Sequence, residues 1–121
     1  MQIGVSYYYV GDITEATQIY SSFLAHQPAI SEQDWIRYHL DGGDIALHLN
    51  PDLPKTKEDT PMRFGAVVSF TVPDIQQVLI RATQHGFRQV GEVHVQPYGK
   101  LAEIRDPWGN RIALIETSMH G

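Results

Sequence analysis

The chain contains no cysteine, which removes disulfides, thiolate zinc sites, iron–sulfur ligation and cysteine nucleophiles together. That absence suits a cytoplasmic location, which is the expected one. No stretch approaches the roughly 18 consecutive apolar residues that a membrane-spanning helix needs. Met1-Gln2-Ile3-Gly4-Val5-Ser6 offers no basic n-region and no small-residue cleavage site, so a secretory signal is not expected. Positive charge is also scarce: nine Lys and Arg stand against fourteen Asp and Glu, for a net charge of −5. Nucleic-acid binding needs a basic stripe to replace phosphate counterions, and the densest basic run, Lys55-Thr56-Lys57, is cancelled by Glu58 and Asp59. Neither nucleic acid nor membrane is an expected partner, and the charge balance suits a neutral or cationic small molecule. Ser/His/Asp triad spacing, HExxH and Gly-rich phosphate loops are all missing, and Gly42-Gly43 reads as a hairpin.

What the chain does have is enough apolar material, 42% of 121 residues, to bury the core of one domain. It also has an internal repeat. Val5-Ser6-Tyr7-Tyr8-Tyr9-Val10-Gly11-Asp12-Ile13 reads beside Val67-Val68-Ser69-Phe70-Thr71-Val72-Pro73-Asp74-Ile75, each a strand-like run ending in Val-x-Asp-Ile before a helical pattern. Asp44-Ile45-Ala46-Leu47-His48-Leu49 reads beside Arg111-Ile112-Ala113-Leu114-Ile115-Glu116. The repeat defines module one as residues 1–50 and module two as 62–118, with the proline-rich, mixed-charge segment 51–61 as a linker.

Each module reads β-α-β-β-β. Asp12 is an N-cap with Glu15 three residues on, and Ile13, Ala16, Tyr20, Phe23 and Leu24 follow helical spacing. Asp74 and Gln77 repeat the cap in module two, where Ile75, Val78, Leu79 and Ala82 form the stripe and Gly86 the C-terminal stop. Asp41-Gly42-Gly43-Asp44 is a hairpin signal, and a loop of two or four residues there pairs Leu40 with Ile45. Ile36, Tyr38 and Leu40 then share the helix-facing side with Ile45, Leu47 and Leu49. Trp35, Arg37, His39, Ala46, His48 and Asn50 face the other way. In module two, pairing Ile104 with Ile112 across the Asp106-Pro107-Trp108-Gly109-Asn110 turn puts Ala102, Ile104, Ile112 and Leu114 toward the helix. Leu101, Glu103, Arg105, Arg111, Ala113 and Ile115 face away. Of the opening strands, Val5/Tyr7/Tyr9 and Val67/Ser69/Thr71 are the sets turned from the helix.

The segment from Ala102 to Glu116, Ala-Glu-Ile-Arg-Asp-Pro-Trp-Gly-Asn-Arg-Ile-Ala-Leu-Ile-Glu, resembles the closing signature of the vicinal oxygen chelate superfamily. That superfamily includes glyoxalases, extradiol dioxygenases, fosfomycin-resistance enzymes and bleomycin-resistance proteins. The two Val-x-Asp-Ile junctions and Tyr20-Ser21-Ser22-Phe23-Leu24 resemble it as well. The resemblance implies an α+β fold of two βαβββ modules pairing curved mixed sheets around a cleft, often completed by homodimerisation. Enzymes of the superfamily usually hold a divalent metal through His or Glu at four places, which carried over by motif position fall at Val5, Ala46, Val67 and Ala113. None of these can donate a lone pair, so neither a resident metal nor a cofactor is expected.

The metal-free branch that the pattern resembles is the bleomycin-resistance type, and Gln96-Pro97-Tyr98-Gly99-Lys100 is similar to that group, with Tyr where Trp is often seen. This implies binding of a small, partly aromatic molecule, neutral or cationic, in the cleft without transforming it, with no catalytic residue. The candidate ligand-binding residues are Tyr7, Tyr9, Trp35, Arg37, His39, His48, Ser69, Glu103 and Arg105. Tyr7, Tyr9 and Trp35 can stack on planar groups and attract cations, or else fill a small cleft or a dimer interface. His39 and His48 read as diagonal neighbours on one hairpin. With Glu103 they define the alternative, a displaced metal site of a glyoxalase-like lyase or isomerase, or of a dioxygenase. A third reading is a pure interaction module. Glu103 is expected to pair with Arg105, Arg111 or Arg37, and Trp108 to pack.

Overall fold

The computed structural model describes residues 4–53, 67–97 and 99–117. The chain divides into two compact units, Met1–Lys57 and Glu58–Gly121. Most of the segment read as a linker lies outside the described residues, as does Tyr98.

Unit one runs β1 (Ser6–Val10), α1 (Ile13–Leu24), β2 (Ile30–Ser31), β3 (Trp35–Leu40) and β4 (Gly43–Leu49), in the sheet order β1-β4-β3-β2. Unit two runs β5 (Val68–Thr71), α2 (Ile75–Gln84), β6 (Arg88–Gln96), β7 (Gly99–Arg105) and β8 (Arg111–Thr117), in the order β5-β8-β7-β6. In each unit the opening strand lies parallel to the closing one and the other pairs are antiparallel. The α+β class and the repeated βαβββ topology follow from this order. Among the described residues no helix is long and apolar enough to cross a membrane.

Local chemistry sets the helix ends. The Asp12 carboxylate accepts the Glu15 N–H at 3.0 Å, and the Asp74 carboxylate accepts the Gln77 N–H at 3.2 Å, so each satisfies a donor that the helix itself leaves unpaired. The first N–H of α2, from Ile75, also donates to Glu116 Oε1 at 2.7 Å, tying the helix start to β8. α1 stops at Ala25, a left-handed residue (φ 54°) that no glycine relieves, at a cost of about 1 kcal/mol. α2 stops at Gly86 (φ 104°), where the Phe87 N–H reaches back to the Ala82 carbonyl at 3.1 Å and the Phe87 side chain is buried.

Each helix covers one face of its own sheet. Ala16, Ile19, Tyr20 and Phe23 of α1 meet β3 and β4, where Ile36, Tyr38, Ile45 and Leu47 are buried. Ile13 and Leu24, expected in this stripe, are only half-buried, and Ile19 takes the place between them. Tyr38 bolts the layers together: its hydroxyl lies 2.8 Å from Ser21 Oγ and donates to the Thr17 carbonyl at 3.3 Å. Burial pushes the Tyr38 phenol up, partly offset by the Ser21 hydrogen bond. In unit two Ile75, Val78, Leu79 and Ala82 pack against Ala102, Ile104, Ile112 and Leu114, and Ile104 pairs with Ile112 as expected.

The β3–β4 register departs from the expected one. Leu40 pairs with Gly43 rather than Ile45, because the two-residue loop is Asp41-Gly42, with Gly42 at φ 88°. A slip that changes the pairing sum by two keeps every side chain on its face, so the apolar set still turns to α1. The change falls on the other face. There Asp44 comes opposite His39 and Trp35 opposite His48.

The turn joining β7 and β8 is built around one buried carboxylate. Asp106 Oδ1 accepts the Trp108 and Asn110 N–H groups, each at 2.9 Å, and Oδ2 accepts Asn110 Nδ2 at 2.8 Å. Trp108 is fully buried beside it, so its role is packing.

Candidate functional site

The face of each sheet turned from its helix carries the chemistry. In unit one it is aromatic. Strand alternation sends Tyr7 and Tyr9 outward from β1 while Tyr8 and Val10 go into the core. Parallel pairing sets Tyr7 beside Ala46 and Tyr9 beside His48, and antiparallel pairing sets Trp35 on the far side of His48. The four rings form one connected cluster. Tyr9 stacks on His48 with centroids 5.3 Å apart and planes at 28°. Tyr7 meets Tyr9, Trp35 and His48 edge-on at 5.6, 5.5 and 5.8 Å, and Trp35 meets His48 at 5.6 Å. These are favoured aromatic geometries. Tyr7 and Tyr9 remain 47% and 41% exposed despite these contacts. The Tyr7 hydroxyl, through a hydrogen bond and its charge, together with burial raises the Tyr9 phenol above its ordinary value.

Beyond Ala46, toward the hairpin end, the same face turns ionic. Arg37 Nε donates to Asp44 Oδ2 at 2.8 Å, and His39 Nδ1 lies 2.8 Å from the same oxygen. The Arg37 hydrogen bond holds the Asp44 carboxyl below its usual range, with burial pulling the other way and His39 adding to the lowering. Asp44 had been legible only as a turn residue. Its parity with Ala46 and His48 is the signal that places it on this face.

Among the described residues the corresponding face of unit two carries few rings. Ser69 is exposed opposite Ala113, Glu103 pairs with Ala113 from the other side, and Arg105 lies opposite Arg111. Arg111 grips Glu103 with both Nε (2.7 Å) and Nη2 (2.6 Å), and this contact raises the Arg111 guanidinium above its ordinary value against the opposing effect of burial. Of the three arginines considered as partners for Glu103, Arg111 binds it through two nitrogens.

His39 and His48 do not converge. In the observed register His39 faces Asp44, four residues along β4 from His48, or about 13 Å of extended strand. The diagonal contact expected between them rested on the slipped register. Among the described residues no group of three or more His, Asp or Glu side chains is arranged to hold a metal ion.

Two four-stranded sheets, each opened by a strand parallel to its last and covered by one helix, define the class of paired βαβββ proteins. The chain belongs to the Glyoxalase/Bleomycin resistance protein/Dioxygenase superfamily, whose family model matches residues 2–114. Solved structures share the fold at low identity. A glyoxalase-related enzyme from Fulvimarina pelagi is 17% identical with a TM-score of 0.75, over 96% of this chain and 88% of that one. A glyoxalase/bleomycin resistance protein from Albidiferax ferrireducens T118 is 17% identical with a TM-score of 0.75, over 96% and 98%. A bleomycin resistance determinant encoded on the transposon Tn5 is 13% identical with a TM-score of 0.69, over 98% and 100%. No curated protein matches by sequence.

The divalent ion of the superfamily's enzymes does not fit the residues present. Ala46 is fully buried between its neighbours Tyr7 and Arg37 and offers a methyl group, as does Ala113 between Ser69 and Glu103. Val5 and Val67 add only hydrocarbon. Asp44, two residues before Ala46, and Glu103, paired with Ala113, are each held by a guanidinium group. An ion with no oxygen or nitrogen donor at its four positions has nothing to replace its hydration shell.

Proposed function

We propose that the chain binds a small, partly aromatic molecule on the ring-bearing face of unit one and does not transform it, in the manner of bleomycin-resistance proteins. The observation that carries this reading is the cluster of exposed Tyr7 and Tyr9 with half-buried Trp35 and His48 beside Ala46. Large half-exposed rings in a fixed arrangement are the usual material of a ligand platform, because they offer much apolar area at little entropic cost. The ionic end formed by Arg37, His39 and Asp44 supplies polar contacts that orient the ligand. Ser69, Glu103 and Arg105 are proposed as ligand contacts on the corresponding face of unit two. The protein acts as a homodimer in the cytoplasm, a reading supported by the superfamily pattern and the cysteine-free composition.

The displaced-metal enzyme has no supporting observation, since it needs His39 and His48 side by side. The test is a thermal-shift screen across divalent metals, glutathione adducts and glycopeptide antibiotics. A ligand that binds only the folded chain raises its melting temperature by mass action. The expected outcome is a rise with an aromatic compound that Trp35→Ala abolishes, and no rise with any metal. Stabilisation by a metal with none by the organic compounds overturns the proposal.

A further inference from the structure

Resting on the binding role proposed above, we infer that the aromatic face of unit one selects a weakly hydrated organic cation, an alkylammonium or pyridinium group, and that protonation of His48 expels it. Ring faces carry negative potential and attract cations whose alkyl groups make them cheap to dehydrate. Tyr7, Tyr9 and Trp35 offer such faces in one connected cluster, and both tyrosines are substantially exposed. The fixed cation on the same face, Arg37, does not oppose a ligand charge, because Asp44 holds it by hydrogen bond and ion pair.

His48 sits at the centre of this cluster and touches all three other rings. Among the described residues no carboxylate hydrogen-bonds or pairs with it, in contrast to His39, which Asp44 holds. A neutral imidazole there is a fourth ring. A protonated one is a cation without a counterion, using the same ring faces that the ligand uses. Among the described residues of unit one, the ionisable groups on the face around His48 are Tyr7 and Tyr9 from β1, Arg37 from β3, and Asp44 farther along its own strand. α1 packs on the opposite face of the sheet through Ala16, Ile19, Tyr20 and Phe23. Histidine is the side chain suited to a change of charge, and the contrast with the Asp44-held His39 makes His48 the gate.

The experiment is isothermal titration of the full chain with phenyltrimethylammonium and with its neutral isostere tert-butylbenzene, near pH 8 and near pH 5.5. The expected result at the higher pH is an affinity for the cation about tenfold above that for the isostere. At the lower pH the cation weakens about fivefold or more in the wild type and does not weaken in His48→Gln. Equal affinity for the two probes overturns the cation inference and leaves the aromatic-binding role standing. A pH loss that persists in His48→Gln overturns the gate. Binding of neither probe overturns both the inference and the role beneath it. Should His48→Gln fail to fold, ring-proton NMR of the wild type decides: release of the cation must follow the titration of the His48 ring, and release at another pH overturns the gate.

Discussion

Arg111 holds Glu103 diagonally across β7 and β8, and the repeat-equivalent positions in unit one hold the same diagonal contact with the charges exchanged, Arg37 on β3 and Asp44 on β4. The equivalence is one of register. Glu103 and Arg37 each pair with the outward alanine of the closing strand, Ala113 or Ala46, and their partners each stand two residues before that alanine. The small side chain leaves the guanidinium and carboxylate free to meet beside it. In both units, then, an ion pair borders the position where the superfamily's enzymes carry a metal-binding group.

The unit-one pair gives a pH signature. Arg37 and His39 hold the Asp44 carboxyl below its ordinary value, so the folded state binds fewer protons there than the unfolded chain. The stabilisation is present above the ordinary carboxylate range, near pH 4, and is lost as pH falls through the lowered folded value. Urea melts of the wild type and Asp44→Asn between about pH 5 and 2.5 should show the wild-type advantage shrinking toward acid. An advantage that stays constant over that range would contradict the assignment.

Tyr38→Phe removes the hydroxyl that joins α1 to β3 and strands Ser21 Oγ in a part-buried site. A loss of about 1–2 kcal/mol is expected in urea denaturation at neutral pH. Ligand affinity should not change, because Tyr38 lies on the helix-facing side. Wild-type stability in the variant would show that the Ser21 contact contributes nothing.

Asp106→Ala leaves three buried donors, two backbone N–H groups and the Asn110 amide, without their acceptor. The expected cost is about 3 kcal/mol or more, among the largest for any single polar substitution in the chain. Equilibrium unfolding measures it, and a loss below about 1 kcal/mol would mean that the turn finds other acceptors.

Trp35→Ala should weaken whichever aromatic ligand the thermal-shift screen finds by about tenfold while leaving the fold intact, since Trp35 contributes to the ring cluster rather than the core. Calorimetric titration of the variant checks it. Unchanged affinity would move the ligand off this face.

Much of this was legible in the sequence because the signals are local. Asp12 and Asp74 announce both helix starts by capping chemistry, and strand parity sorts Tyr7 and Tyr9 from Tyr8 without any knowledge of the partner strand. Pairing is a longer-range property, and there the reading slipped. Asp41-Gly42-Gly43-Asp44 contains two glycines able to take the left-handed position of a two-residue loop, and composition alone does not choose Gly42. The slip left the core assignment unharmed, because faces depend only on parity. It misplaced His39 and His48 as neighbours and hid the Asp44 contact, because cross-strand contacts depend on register. Ile19, three residues beyond Ala16 on the same face, completes the buried α1 stripe. All four residues of the ring cluster, Tyr7, Tyr9, Trp35 and His48, are candidates in the sequence, but their mutual contacts depend on the register that sets His48 between Tyr9 and Trp35.

The most direct measurement of the central claim is the metal content of the purified full chain by plasma mass spectrometry, paired with melts in the presence and absence of EDTA. With valine and alanine at the four ligand positions, well under one equivalent of any transition metal per chain and an unchanged Tm are predicted. One tightly held zinc, nickel or iron per chain, with a Tm that falls on chelation, would contradict the account.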